Sequence, residues 1–306
     1  MRRDTFKKTV LFMDTTVSIT VISSSYSEQQ AQASMAKAFE AFRLIETLCS
    51  RFDEQSAIMQ LSQTINIPVA VNPLLFDAIH FAIEIANLTG GAFDPTVGKA
   101  MEERGFNRHY LTGEHIISVW ESNSSVSYKD IVLDEKNKTI CLKQPLIMDL
   151  GAVAKGFAVD LASRALTHFD GFVIDAGGDV FVSGTSERDE LWKIGIQHPL
   201  NRDETICSVQ LSNMAVCTSG SYERKSPVND HIHHLINPKT NEPQNELVSC
   251  TVLAPFAMMA DALSTAVFIL GKEPGIQLLE ESELGGVLIS PSLDVHFTKE
   301  MENYLL

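Results

Sequence analysis

The stretch from Pro145 to Val182 constrains this chain most. A short apolar run, Pro145 to Met148, ends in the carboxylate of Asp149. A small-residue loop through Gly151-Ala152-Val153-Ala154-Lys155-Gly156 follows, and then a helical apolar pattern from Phe157 to Leu166. Next come Phe172-Val173-Ile174, the segment Asp175-Ala176-Gly177-Gly178-Asp179, and Val180-Phe181-Val182, which read as two strands joined by a glycine turn. Helix and strand signals are thus mixed within this short span. A small loop that opens a helix leaves backbone N–H groups free to face an anion. Lys155 adds a point positive charge there, and Asp149 can orient a polar ligand or help hold a metal.

The same mixture extends along the chain. Residues 10–22 alternate (Val10, Phe12, Thr16, Ser18, Thr20) and predict a strand. Residues 27–48 predict a helix, with Met35, Phe39, Phe42 and Ile45 on one face and Ser27 with Gln30 as a capping box. A second helix begins at Asn72-Pro73 and stops at Gly90-Gly91. A strand pair is expected at 131–142, further strands near 192–196, 205–211, 214–217 and 248–254, a helix at 256–270, and a last strand pair near 286–297. Hairpin-like connections favour α+β over a doubly wound parallel sheet. We expect one catalytic domain over residues 1–306, with room for two lobes.

The net charge of −15 argues against a nucleic-acid partner. It also repels an anionic substrate unless a local site reverses the sign, which a divalent cation does most simply. The five cysteines, at 49, 141, 207, 217 and 250, include no Cys-x-x-Cys, so neither a disulfide framework nor a structural zinc site is signalled. No apolar run approaches membrane-spanning length, and no signal peptide is recognised near Met1. The expectation is a cytoplasmic protein; the alternative is an exported form whose signal is not in this chain.

Four further segments carry candidate chemistry. Asp261 and Thr265 are four apart on the helix at 256–270, so their oxygens share one face and suit Mg²⁺. The alternative is that Asp261 caps the helix or faces solvent while Thr265 bonds back to the preceding turn. Gly91-Ala92-Phe93-Asp94-Pro95-Thr96 offers small residues and a ring for a flat heterocycle, or a plain Asp-Pro turn. Thr218-Ser219-Gly220 to Arg224 suits phosphate or ribose contacts, or is a turn with a surface arginine. His231, His233 and His234 lack metal spacing. On a strand, His231 and His233 share a face and His234 points the other way, and a single histidine as general base competes with a plain surface cluster. Rossmann, Walker and nucleophile-elbow patterns are absent.

The order and wording of these islands resemble the ApbE family of FAD:protein FMN transferases over residues of about 10 to 271. The match includes Met13-Asp14-Thr15, Gly91 to Thr96, Asp149 to Gly156, Gly177-Gly178-Asp179, Thr218 to Arg224, His234-Leu235-Ile236-Asn237-Pro238-Lys239-Thr240 and Ala260 to Thr265. The resemblance implies an ApbE-like (T-fold-like) α+β fold with FAD in a cleft between lobes, and a Mg²⁺-dependent attack by a threonine or serine hydroxyl of a target flavoprotein on the FMN-side phosphorus of FAD, releasing AMP. It implies Asp261, Thr265 and the carbonyl of Ala152 as metal ligands. It places Met13, Phe52, Ala92, Phe93, Asp94, Asp149, Lys155, Ser219, Arg224, His234 and Ile236 at the FAD site. His234, Asp149 and Lys155 become the catalytic candidates, with the general base open between His234 and Asp149.

The chain departs from the family pattern at Asp14 (usually glycine), Phe52 (often tyrosine), Ser221 (often aspartate), Asn237 (aspartate) and Asn241 (glycine). Two other functions use the same machinery. One is an FAD pyrophosphatase in which water replaces the hydroxyl. The other is a non-catalytic FAD-binding protein, which loss of Asp261 or Thr265 would signal; both residues are present.

Overall fold

A computed structural model describes residues 3–118, 126–229, 232–240 and 242–306. His231 and Asn241 lie outside the described residues. The chain opens on a hairpin, β1 (Asp4–Phe12) and β2 (Thr15–Ser23), paired antiparallel from Asp4↔Ser23 to Phe12↔Thr15. The sequence predicts one strand across residues 10–22. The structure turns the chain instead at Met13 and Asp14, whose φ values are +51° and +61°. Two left-handed residues in a two-residue loop match the twist of the flanking strands, and aspartate tolerates that conformation better than most side chains.

Helix α1 (Glu28–Cys49) starts at Ser27 with the expected capping box to Gln30. After α2 (Ala57–Ser62) and the short β3 (Val69–Ala70), α3 (Pro73–Leu88) begins at Asn72, whose side chain accepts from Leu74 N–H at 2.9 Å. Next come α4 (Gly98–Glu103), β4 (Ile131–Asp134) and β5 (Thr139–Leu142), the last two paired as predicted. Helix α5 spans Gly151–Ser163, so the small-residue stretch forms its first turns rather than a loop before it.

Strands β6 (Gly171–Ala176) and β7 (Asp179–Gly184) flank the turn at Gly177 and Gly178, with φ of +69° and +96°. A hairpin, β8 (Trp192–His198) and β9 (Asn201–Leu211), precedes β10 (Met214–Gly220), and the short β11 (Ile236–Asn237) and β12 (Glu242–Pro243) lead to β13 (Ser249–Ala254). Helices α6 (Ala257–Leu270) and α7 (Lys272–Glu281) and strands β14 (Gly285–Ile289) and β15 (Val295–Phe297) complete the chain.

The main sheet has eight strands in the order β1-β2-β6-β7-β10-β13-β14-β15, and every pair in it is antiparallel. This is α+β, as the hairpin signals require. One sheet face packs on α1, α5 and α6, burying Val17, Ile19, Ile174, Cys217, Val252 and Leu288. The other face buries Val182, Val216, Leu253, Val287 and Ile289 against Ile196 and Val209 of the β8–β9 hairpin and Met301. Strands β13 and β14 are therefore buried on both faces, so every residue of each is buried, Ser249 and Thr251 of β13 included.

Helices α5 and α6 pack closely together. A Cβ on Gly156 would lie 2.3 Å from Ala257 O, so only glycine allows this approach. Helix α6 lacks a side-chain cap of its own. Asp160 of α5 supplies one, accepting from Ala257 N–H at 2.7 Å and Met258 N–H at 2.9 Å.

Candidate active site

The close approach of α5 and α6 brings Lys155 to Asp261. Lys155 Nζ lies 3.1 Å from Asp261 Oδ2 and 2.8 Å from Asp179 Oδ2. Asp179 and Asp261 are 4% and 3% exposed, which excludes both a solvent-facing and a capping role for Asp261. Burial opposes the charge on Lys155, but the two carboxylates outweigh it and hold its pKa above the usual lysine range. Burial and Asp179 push the Asp261 carboxyl up, and Lys155 only partly compensates. Lys155 is thus an internal counter-ion, not the free anion anchor that the sequence suggests. Thr265 stands one turn beyond Asp261, its Oγ1 2.9 Å from Ser219 Oγ, which is 2.8 Å from Ser264 Oγ.

These groups floor a cavity of about 680 Å³, within the usual range for small-molecule sites. Met13, Phe52, Phe93, Asp94, Asp149, Ala152, Arg224, His234 and Ile236 also line it. Ala92 does not: it is 5% exposed and sits behind the wall, its N–H donating to Thr89 O at 3.2 Å.

Asp149 is already engaged. Its Oδ2 is 2.5 Å from Arg51 Nε, and its Oδ1 accepts from Gly151 N–H at 2.7 Å. Burial pushes this carboxyl up, but Arg51, the Gly151 N–H and Arg224 together hold it below the usual carboxylate range. The start of α5 is correspondingly less open to an anion than expected. Val153 and Ala154 donate to Leu150 O at 2.9 and 2.8 Å, so three first-turn amides are internally bonded. Asp94 braces its own loop, accepting from Thr96 N–H at 2.8 Å and from Tyr128 N–H at 3.0 Å.

Two histidines with adjacent numbers differ sharply. His233 is buried, its Nε2 donating to Gln244 O at 2.9 Å and its Nδ1 accepting from Leu235 N–H at 3.2 Å. No strand places it opposite His234; it makes only an isolated bridge, to Lys225. His234 lies in the cavity, partly exposed but deep in the cleft. Loss of water contact, followed by the charge of Arg224, pulls its pKa down to about 3. Asn237 accepts from Lys239 N–H at 2.9 Å, a turn that needs no carboxylate charge.

Sequence reasoning missed Arg51 and Glu46, and it gave Asp179 no role although the residue lies in the Gly177-Gly178-Asp179 island. Glu46 Oε1 accepts from Met13 N–H at 2.9 Å and Tyr110 OH at 2.7 Å, pinning the β1–β2 turn at the cavity rim. Asp179 carried a faint signal, a carboxylate directly after a glycine turn and before an apolar strand. Arg51 carried none, because its partner is 98 residues away.

The ApbE family model matches residues 13–288, nearly the whole chain. This protein belongs to the ApbE family. The FAD:protein FMN transferase of Haemophilus influenzae is 30% identical over 256 residues, covering 78% of this chain and 73% of that protein. The FAD:protein FMN transferase of Treponema pallidum is 30% identical over 281 residues, covering 84% and 77%. Among solved structures, the ApbE protein of Thermotoga maritima superposes with a TM-score of 0.87 at 28% identity, covering 98% of this chain and 99% of its own. The flavin transferase ApbE of Vibrio cholerae gives 0.83 at 23% identity and supports the ApbE fold.

Among the described residues no group of three or more His, Cys, Asp or Glu side chains is arranged to hold a metal, and no helix is long and apolar enough to cross a membrane. The oxygen donors here instead suit a cation shared with a substrate. Mg²⁺ typically takes one or two carboxylates and completes its shell with phosphates and water. Asp261 and Thr265 supply hard oxygens, and the Lys155–Asp179–Asp261 cluster carries one negative charge more than positive. Gly156 N–H donates to Asp261 Oδ2 at 3.1 Å. In a regular helix that amide serves the carbonyl of Ala152.

Proposed function

We propose that this ApbE chain transfers FMN from FAD to a threonine or serine hydroxyl of a target flavoprotein, releasing AMP. The observation that carries this reading is the buried Lys155–Asp179–Asp261 cluster with Thr265, at the floor of a cavity of about 680 Å³, in a family whose relatives are named for this reaction. The chain acts as one catalytic unit with FAD in the cleft. The acceptor oxygen forms a bond to the FMN-side phosphorus, the bond from that phosphorus to the bridging oxygen breaks, and AMP leaves with the bridging oxygen. The acceptor proton passes to a base.

Asp261, Thr265 and the carbonyl of Ala152 would hold Mg²⁺, which supplies charge neutralisation at the pyrophosphate. The chain's own residues do the rest. Lys155 adds a fixed positive charge, and Phe93 and Phe52 offer rings beside the cavity. Arg51 stacks 4.2 Å from the Phe52 ring and orients Asp149, which holds the start of α5. That double engagement makes Asp149 a positioning group and leaves neutral His234 as the proton acceptor. The five cysteines are free, which suits a reducing compartment, and we place the reaction in the cytoplasm.

The test is to mix the protein with FAD, Mg²⁺ and a target flavoprotein carrying an acceptor threonine. An FMN mass adduct on the target, with AMP formed in equal amount, is the expected result. No adduct on a competent target would sink the reading, and AMP with free FMN in the absence of any target would reassign the protein as a pyrophosphatase.

A further inference from the structure

Asp179 is the nearest anion to Lys155, at 2.8 Å, against 3.1 and 3.2 Å for the two oxygens of Asp261. Its position is firmly set. It is the first residue of β7, 4% exposed, and follows a turn in which both glycines have positive φ. A Cβ on Gly177 would lie 2.0 Å from Thr15 Oγ1, so this turn is packed directly against the β1–β2 hairpin. One ammonium therefore bridges two buried carboxylates held by separate elements, α6 and the β6–β7 turn.

The two carboxylates are not equivalent. Asp261 also accepts from Gly156 N–H and shares a helix face with Thr265, so it belongs to an oxygen-donor set. Asp179 faces that set across the ammonium. If Lys155 were paired with Asp261 alone, a cation arriving at Asp261 would leave the partly buried ammonium without a carboxylate partner. With Asp179 present, Lys155 loses one partner and keeps the other.

We propose that Asp179 is the positioning residue for Lys155: it retains the ammonium when a divalent cation takes Asp261, so that Lys155 passes from counter-ion of a carboxylate to contact with the phosphates without leaving the site. This rests on the metal-dependent reading above. Asp179 then acts through Lys155 rather than as a metal ligand, and the two roles separate in a double-mutant cycle.

The experiment is calorimetric titration of Mg²⁺ into the full chain, alone and with saturating FAD, for wild type, D179N, K155M and D179N/K155M, with circular dichroism melts to confirm folding. D179N is expected to weaken Mg²⁺ binding about tenfold in the wild-type background and by less than about threefold once Lys155 is gone. K155M alone is expected to tighten binding. If K155M does not fold, K155Q takes its place in the cycle. Equal weakening by D179N in both backgrounds overturns the proposal and makes Asp179 a direct ligand, and no weakening in either makes it a bystander. Wild-type protein that binds no Mg²⁺ with or without FAD overturns the metal reading and this inference together, whereas additive losses overturn the role of Asp179 alone.

Discussion

The floor and the rim of the cleft are built on different principles. The floor consists of side chains on regular elements: Lys155 on α5, Asp261 and Thr265 on α6, Ser219 on β10 and Asp179 at the start of β7. Each is hydrogen-bonded to another member of the set or to a neighbouring backbone amide. The rim consists of turns and loops: Met13 and Asp14 in a left-handed turn, Tyr110 and Arg224. Its cross-links are few, such as Glu46 with Met13 and Tyr110, and Arg224 with Asp14 at 3.7 Å. A rigid charged floor suits chemistry on a pyrophosphate, which needs fixed charges more than motion. A loosely tied rim suits admission of a large dinucleotide and then of a protein acceptor. Substitutions in the floor should therefore act on kcat, and those in the rim on KM.

The largest expected effect is on the floor. Asp261→Ala removes the proposed metal ligand and half of the charge partnership of Lys155. Turnover should fall on the order of a thousandfold while FAD still binds. Rates from AMP release, with FAD affinity from flavin fluorescence, check both halves. Turnover within about tenfold of wild type would remove Asp261 from the centre of the reaction.

Gly156→Ala is next. The added carbon would meet Ala257 O at 2.3 Å and Met258 Cα at 2.6 Å, both backbone atoms that cannot swing aside. Helices α5 and α6 must separate, at a cost of about 3 kcal/mol. The same shift parts Lys155 from Asp261, so stability and kcat should fall together. A urea melt with the wild-type midpoint would show that the helices tolerate the carbon.

Which of these features the sequence discloses follows from how local their causes are. The caps at Ser27 and Asn72 were legible because each closes within three residues. The face shared by Asp261 and Thr265 follows from helix geometry alone. The β1–β2 hairpin was hidden because its turn uses methionine and aspartate in place of the usual Asn-Gly. Helix α7 was not anticipated; its Pro274 sits in the first turn, where the missing N–H costs nothing. Arg51 pairs with Asp149 across 98 positions, a contact set only by tertiary packing. Lys155 was legible as a charge, but its two carboxylate partners were not, so its state in the free protein was misread.

His234, the proposed proton acceptor between floor and rim, is tested by pH. Its unfolded pKa is about 6.5, whereas loss of water contact and the Arg224 charge bring the folded value to about 3. The folded protein favours the neutral ring, so this contribution is complete above the unfolded pKa. It is lost as pH falls from about 6.5 toward about 3, because the unfolded chain takes the proton first. Wild type should therefore lose more stability than His234→Gln between pH 7 and pH 4, measured as urea midpoints. The ring proton resonance of His234 should also stay constant from pH 8 to pH 5. A titration centred near 6.5 would place the ring in ordinary solvent and end the argument for its neutrality.

The smallest expected effect, and the sharpest test of the division of labour, is at Glu46. One carboxylate oxygen holds both the Met13 amide and the Tyr110 hydroxyl, at 2.9 and 2.7 Å. Glu46→Ala releases both, so the left-handed turn loses its anchor to α1 and the rim loosens on that side. Two hydrogen bonds of this kind are worth about 1–2 kcal/mol together. If that energy is used to shape the entrance, the KM for FAD should rise about fivefold to tenfold with kcat unchanged within about twofold. Glu46→Gln keeps an acceptor oxygen and should recover most of the loss. Steady-state kinetics at saturating acceptor decide the matter. A fall in kcat with unchanged KM would mean that the β1–β2 turn positions the floor, through the packing of Gly177 on Thr15, and that floor and rim are one mechanical unit.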